Sequence, residues 1–121
     1  MTEISADWVL PVDGPPIENG CVRFEEGAIV DVSAGRAARH FDDAAIVPGF
    51  VNAHSHLEYS RYAGFGDGQP FGPWIATHVV RKNLLDDAAM DALARQGVLD
   101  SLRSGITTTA DYSFSLSLIH I

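Results

Sequence analysis

Apolar positions in the first half of the chain fall into short runs and loose alternations with the period of β-strands. Ile4 to Val12 carry Trp8, Val9 and Leu10, and Asp13-Gly14-Pro15-Pro16 follows as a strong turn signal, so a strand and then a turn are predicted. Cys21-Val22-Arg23-Phe24 and Ala28-Ile29-Val30-Asp31-Val32 are β-type runs separated by Glu25-Glu26-Gly27, which fits a hairpin within a small antiparallel sheet. Ile46, Val47, Phe50 and Val51 form a nearly continuous apolar run, expected of a strand buried on both faces in a parallel sheet and spanning Ala45 to Ala53. Tyr62 to Pro70 holds three glycines within five residues and no period, so it is expected to be a loop. Pro73 suits a first helical turn, and Trp74, Ile75, His78, Val79 and Leu85 follow near helical spacing. A second helix is predicted after a cap at Asp86 or Asp87. Met90, Leu93, Ala94, Gly97, Val98 and Leu102 make its apolar stripe, Arg103 suits its negative end and Gly105 its C′ position. The β-branched run Ile106 to Tyr112 completes a strand-helix-strand order, the signature of a parallel α/β fold.

Composition narrows the function classes. With 16 acidic and 8 basic residues the 121-residue chain carries a formal charge of −8, which disfavours nucleic acid, since that partner demands Lys and Arg to neutralise phosphates. No apolar stretch approaches the ~18 residues that cross a bilayer, and the start has no basic segment followed by an apolar one, so no membrane association is expected. Cys21 is the single cysteine, so an intramolecular disulfide is excluded and a cytoplasmic setting is the default. That count also excludes the zinc deaminase signature with two closely spaced cysteines.

The segment Asn52-Ala53-His54-Ser55-His56-Leu57-Glu58 carries the candidate chemistry. Residues two apart on a strand share a face, so His54 and His56 aim the same way and can converge on one metal ion at ~2.0–2.1 Å per nitrogen. A bare pair of histidines also arises by chance on polar strand ends; the apolar run before this one and the loop after it favour a site. Glu58 shares the face if the extended backbone continues, either touching substrate or a ligand, or exposed to solvent. Asn52 lies deeper along the strand, equally suited to satisfying buried backbone and to orienting a ligand. Trp74 offers a flat surface for a heterocycle, or packs as a core residue, and His78 lies four residues on along the same helical face. Asp111 falls at the end of the second strand, where it supports a site or caps a loop. Arg61 is the only cation near the histidines and could meet an acidic substrate group.

The string P-G-F-V-N-A-H-S-H-L-E, preceded by a β-rich leader and followed by Ser104-Gly105-Ile106-Thr107-Thr108-Thr109, resembles the amidohydrolase superfamily, in its chlorohydrolase and aminated-heterocycle deaminase branch. With the nearby Trp74, the match looks most like the aminodeoxyfutalosine deaminases. The resemblance covers about Ile4 to Phe114. It implies a metal-dependent (β/α)₈ barrel hydrolase, with residues 1–47 in a small β-sandwich-like subdomain and 48–121 as the start of the barrel. His54 and His56 would then bind one divalent metal after the first barrel strand, and Ile106 onward would be the second strand. Zinc is the first choice, and neutral imidazole also suits iron and nickel. A full barrel takes ~250 residues, so the chain is expected to be an N-terminal fragment. The other ligands, a histidine and an aspartate, and the general acid/base would lie on later strands, leaving no catalytic residue here. The implied reaction is deamination of an amino-substituted heterocycle or nucleoside-like small molecule, with a homo-oligomer open to the full-length parent. The alternatives are hydrolysis of a cyclic amide or chlorinated triazine, or a non-catalytic β plus α/β fragment. The tail Ser115 to Ile121 fits this family poorly. It is either read-through of a sequencing-adapter segment or a native alternating strand, and His120 is assigned no role.

Overall fold

The computed structural model describes residues 2–113, which fall into two compact units divided between Pro48 and Gly49. The tail from 115 lies outside the described residues. The first unit is one four-stranded sheet built from β1 (Thr2–Val9), β2 (Ile17–Glu25), β3 (Ala28–Ala34) and β4 (His40–Ile46), in the order β3-β2-β1-β4. The predicted hairpin is β2–β3. Its turn residues Glu26 and Gly27 take φ of +50° and +82°, the double left-handed turn whose twist matches antiparallel strands.

Two strand boundaries differ from expectation. β1 stops at Val9, and Val12 sits at φ +74°, outside the β region. The sheet is also mixed, because β4 runs parallel to β1. This strand had no alternating apolar signature: His40-Phe41-Asp42-Asp43 is polar, and Asp43 lies at φ +53° opposite a register shift between Ala6 and Trp8. The run from Ala45 to Ala53 is accordingly two strands, with Ala45 and Ile46 closing β4 and the backbone leaving strand geometry from Val47 to Gly49. Ser5, Ala6, Val9, Gly20, Val22 and Ala37 are buried among the described residues of this unit.

The second unit contains β5 (Phe50–Ser55), a 3-10 turn (Leu57–Tyr59), α1 (Phe71–Asn83), α2 (Asp87–Arg103) and β6 (Ile106–Asp111). β5 and β6 pair in parallel, the order read from the sequence. Phe50 and Val51 are 58% and 69% exposed, so the apolar run that signals a fully buried strand is not covered by the described residues. Asp86 caps α2 by accepting from the Ala89 amide at 2.8 Å, and Gly105 follows the C-terminus at φ +81°. Replacing Asp86 by Ala removes that acceptor and is expected to destabilise the protein by about 0.5–2 kcal/mol, measurable by denaturant unfolding. Met90, Ala94 and Gly97 are the buried positions of α2, packed against the 3-10 turn. No helix among the described residues is long and apolar enough to cross a membrane.

Candidate metal centre

β5 ends at Ser55, and the chain leaves strand geometry at His56, whose φ and ψ are −133° and 82°. The His54 and His56 rings nonetheless come together edge-on, with centroids 5.1 Å apart and planes at 83°. The convergence does not rest on simple alternation. The β5–β6 register slips between Asn52 and Ser55, and His56 stands at the entry of the 3-10 turn.

Tyr112, just past β6, holds both rings. The His56 Nδ1 lies 2.8 Å from the Tyr112 carbonyl oxygen, and the His54 ring is 4.7 Å from the Tyr112 ring. A carbonyl only accepts, so Nδ1 carries the proton and, in the neutral imidazole, the lone pair falls on Nε2. That tautomer is the one a metal ligand requires, and a backbone carbonyl is a common partner for the distal nitrogen of a ligating histidine. The donor set therefore fits a divalent metal of the kind that takes imidazole. Asn52 accepts from the His54 amide through Oδ1 at 3.2 Å, which fixes the bulged backbone between them.

Glu58 is fully buried on the 3-10 turn, so the extended, solvent-facing carboxylate is not what forms. Asp111 explains the turn: its Oδ1 accepts the Leu57 amide at 2.8 Å and so caps a helix start to which His56 contributes no side-chain cap. The Tyr112 amide donates to the Ser55 carbonyl at 2.8 Å, joining the ends of the two strands. A groove lined in part by His56, Ser60, Gly97, Asp100 and Ser104 opens beside this junction.

Trp74 and His78 do come together, with ring centroids 4.2 Å apart on one face of α1. His78 is buried and donates from Nδ1 to the Trp74 carbonyl at 2.8 Å. Around His78 pack Tyr59, Tyr62 and Phe65; Tyr62 and Phe65 lie in the expected loop, which has no regular helix or strand, but the packing of the three rings is not among the expectations. The spacing of three between those aromatics was the available signal: successive turns place the Tyr59 and Tyr62 rings 4.9 Å apart. Arg81 lies over the Tyr62 and Phe65 rings at 4.6 and 4.3 Å, a cation–π pairing also missed. Arg61 is exposed.

Burial pushes the Tyr59 hydroxyl above its ordinary pKa, with the Glu58 carboxylate and Tyr62 adding to the shift. A raised pKa means the folded state keeps a proton that the unfolded chain loses. Stability is thus full below about pH 10 and falls as pH climbs from there through the folded value. Tyr59→Phe is expected to lose less stability between neutral and strongly alkaline pH than the unsubstituted protein, as read from thermal midpoints along that range.

A second set of potential ligands, Asp7, His40 and Asp42, lies in the first unit. His40 contacts Ser5 Oγ at 2.9 Å through Nδ1, and Asp7 and Asp42 at 3.3 and 3.4 Å through Nε2. Ser5 Oγ also accepts the Ala37 amide, and Asp7 Oδ2 accepts the Asp43 amide. The cluster thereby staples β1 to the bulged β4.

Residues 45–119 match the Amidohydrolase family. The chain belongs to that family. It is 30% identical over 105 residues to the 5-methylthioadenosine/S-adenosylhomocysteine deaminase of Bacillus cereus (strain B4264), covering 78% of this chain and 24% of that protein. The chain thus spans about a quarter of the length of the curated relatives it matches. Among solved structures, the Helicobacter pylori aminofutalosine deaminase in complex with methylthio-coformycin superposes with a TM-score of 0.68 at 19% identity, over 99% of this chain and 32% of that one. The zinc complex of the atrazine chlorohydrolase from Arthrobacter aurescens TC1 gives 0.72 at 23% identity, over 92% and 28%. These likenesses establish the fold of this amidohydrolase chain: the opening portion of an α/β barrel, incomplete in itself.

Proposed function

We propose that the full-length parent of this amidohydrolase chain is a metal-dependent hydrolase that deaminates an amino-substituted heterocycle or nucleoside-like molecule. The observation that carries this is the placement of His54 and His56 ring to ring at the end of a parallel strand, with the His56 tautomer set by the Tyr112 carbonyl. The 5-methylthioadenosine/S-adenosylhomocysteine deaminase relative supports deamination over other hydrolytic outcomes.

His54 and His56 would hold the ion, zinc being preferred by two borderline nitrogen donors. Such an ion supplies Lewis acidity and a water-derived nucleophile at neutral pH. The chain's own residues prepare the ground. Tyr112 holds the imidazoles, Asn52 ties down the backbone leading into His54, and Asp111 caps the turn on which the Glu58 carboxylate is buried. Glu58 would meet the substrate or a ligand at that edge. Trp74 and His78 would shape the substrate wall through the aromatic cluster they anchor. Two imidazoles make half of a four-coordinate shell, so the 121-residue chain alone is proposed to be inactive.

An ammonia-coupled assay of the full-length parent against adenosine-like and aminodeoxyfutalosine-like compounds, a chlorinated triazine and a cyclic amide tests the reaction class. Ammonia release from an aminated purine nucleoside is expected. Chloride release or ring opening without ammonia would replace deamination with one of the other hydrolyses.

A further inference from the structure

The 3-10 turn that follows His56 is gripped from three sides, and the grip shows what sets the geometry of the metal-binding edge. Asp111, at the end of β6, accepts the amide of Leu57, the first residue of the turn, at 2.8 Å. Ser60, just past the turn, donates from its hydroxyl to the Leu93 carbonyl of α2 at 3.0 Å. Between these two ties, Gly97 of α2 lies flush against the turn's backbone. A Cβ at position 97 would stand 3.0 Å from both the Cα and the carbonyl carbon of Leu57, and would collide with the Leu57 carbonyl oxygen.

The obstruction is backbone rather than a side chain that could rotate away. Gly97 sits in the middle of a 17-residue helix, where glycine costs about 0.5–1 kcal/mol relative to alanine, so its presence there is unfavourable unless the close approach is needed. Leu57 and Glu58 are both buried, so a displaced turn would have to disturb packed side chains.

We propose that Gly97 and Asp111 are positioning residues for the metal-binding edge: together they fix the 3-10 turn, and through it the setting of His56 and the depth of the Glu58 carboxylate. His56 is the residue immediately before the turn, and the Tyr59 amide bonds back to its carbonyl at 2.9 Å, so a displaced turn drags the imidazole with it. Gly97 does so by permitting contact, Asp111 by supplying the acceptor. This deepens the metal-centre proposal and rests on it for the role of His56.

The test uses the full-length parent with Asp111→Ala, Asp111→Asn and Gly97→Ala, following two readouts. Amide hydrogen exchange of the segment 56–60 reports on the turn itself, and zinc affinity from chelator competition reports on the site. Asp111→Ala is expected to speed exchange in that segment and weaken zinc binding by about 10–100-fold, the range for partners that orient metal ligands. Asp111→Asn, which keeps an oxygen to accept the Leu57 amide, should recover most of both. Gly97→Ala should reproduce the alanine effect at Asp111 with β6 left intact; if it does not fold, the Asp111 pair decides alone. Unchanged exchange in Asp111→Ala would overturn the clamp, and faster exchange with unaltered zinc affinity would overturn its link to the site. His56→Ala that retained its zinc would instead refute the metal reading, while the exchange data would still report on the clamp.

Discussion

Full-length parent protein carrying His54→Ala or His56→Ala is expected to purify without its metal and to lose turnover by more than the 10–100-fold typical of residues that only orient a ligand. Each substitution removes one of the two imidazole donors this chain supplies, and a catalytic zinc site normally has three protein ligands plus water. Stability should move far less when the variants are compared metal-free. His54 is exposed, so its truncation opens no cavity, and exposed substitutions usually stay within about 0.5 kcal/mol. Asn52→Ala is the control. It loses the bond to the His54 amide but leaves both rings, and should reduce activity without emptying the site. Elemental analysis beside the ammonia assay distinguishes the two classes, and normal metal content with normal turnover in His54→Ala would mean the pair is decorative.

The 121-residue chain expressed alone is expected to bind zinc weakly and to release no ammonia from any substrate that the parent consumes. Two imidazoles leave the shell half filled. Physical support is also thin: among the described residues β5 and β6 pair only with each other, and Phe50, Val51, Val79 and Leu102 are exposed. Open strand edges and exposed apolar surface favour association, so light scattering of the isolated chain should show concentration-dependent oligomers. Metal-dependent turnover by the isolated chain would overturn the expectation of inactivity.

Local chemistry was legible in the sequence where it was short-range. The Asp86 cap, the Gly105 stop and the Glu26-Gly27 turn need only neighbours in sequence, and each forms where the residues indicate. The convergence of His54 and His56 was also legible, though alternation along a strand is only part of its cause: a register slip and the Tyr112 carbonyl, 56 residues on from His56, complete it. Glu58 shows the limit. An extended continuation would have put it on the face of His54 and His56; a carboxylate 54 residues beyond Leu57 caps a turn there and buries it, and no periodicity encodes that meeting. β4 was hidden for a similar reason. Its polar residues are tied down by Ser5 and Asp7 of β1, which a window around His40 does not contain.

The central claim, that His54 and His56 hold a divalent ion in this amidohydrolase, is tested most directly by X-ray absorption at the zinc edge of the zinc-loaded full-length parent and of a His54→Ala/His56→Ala double variant under excess zinc. The account predicts imidazole scattering with Zn–N distances of about 2.0–2.1 Å in the unsubstituted protein and a loss of about two imidazole contributions in the variant. Identical spectra from the two proteins would contradict it.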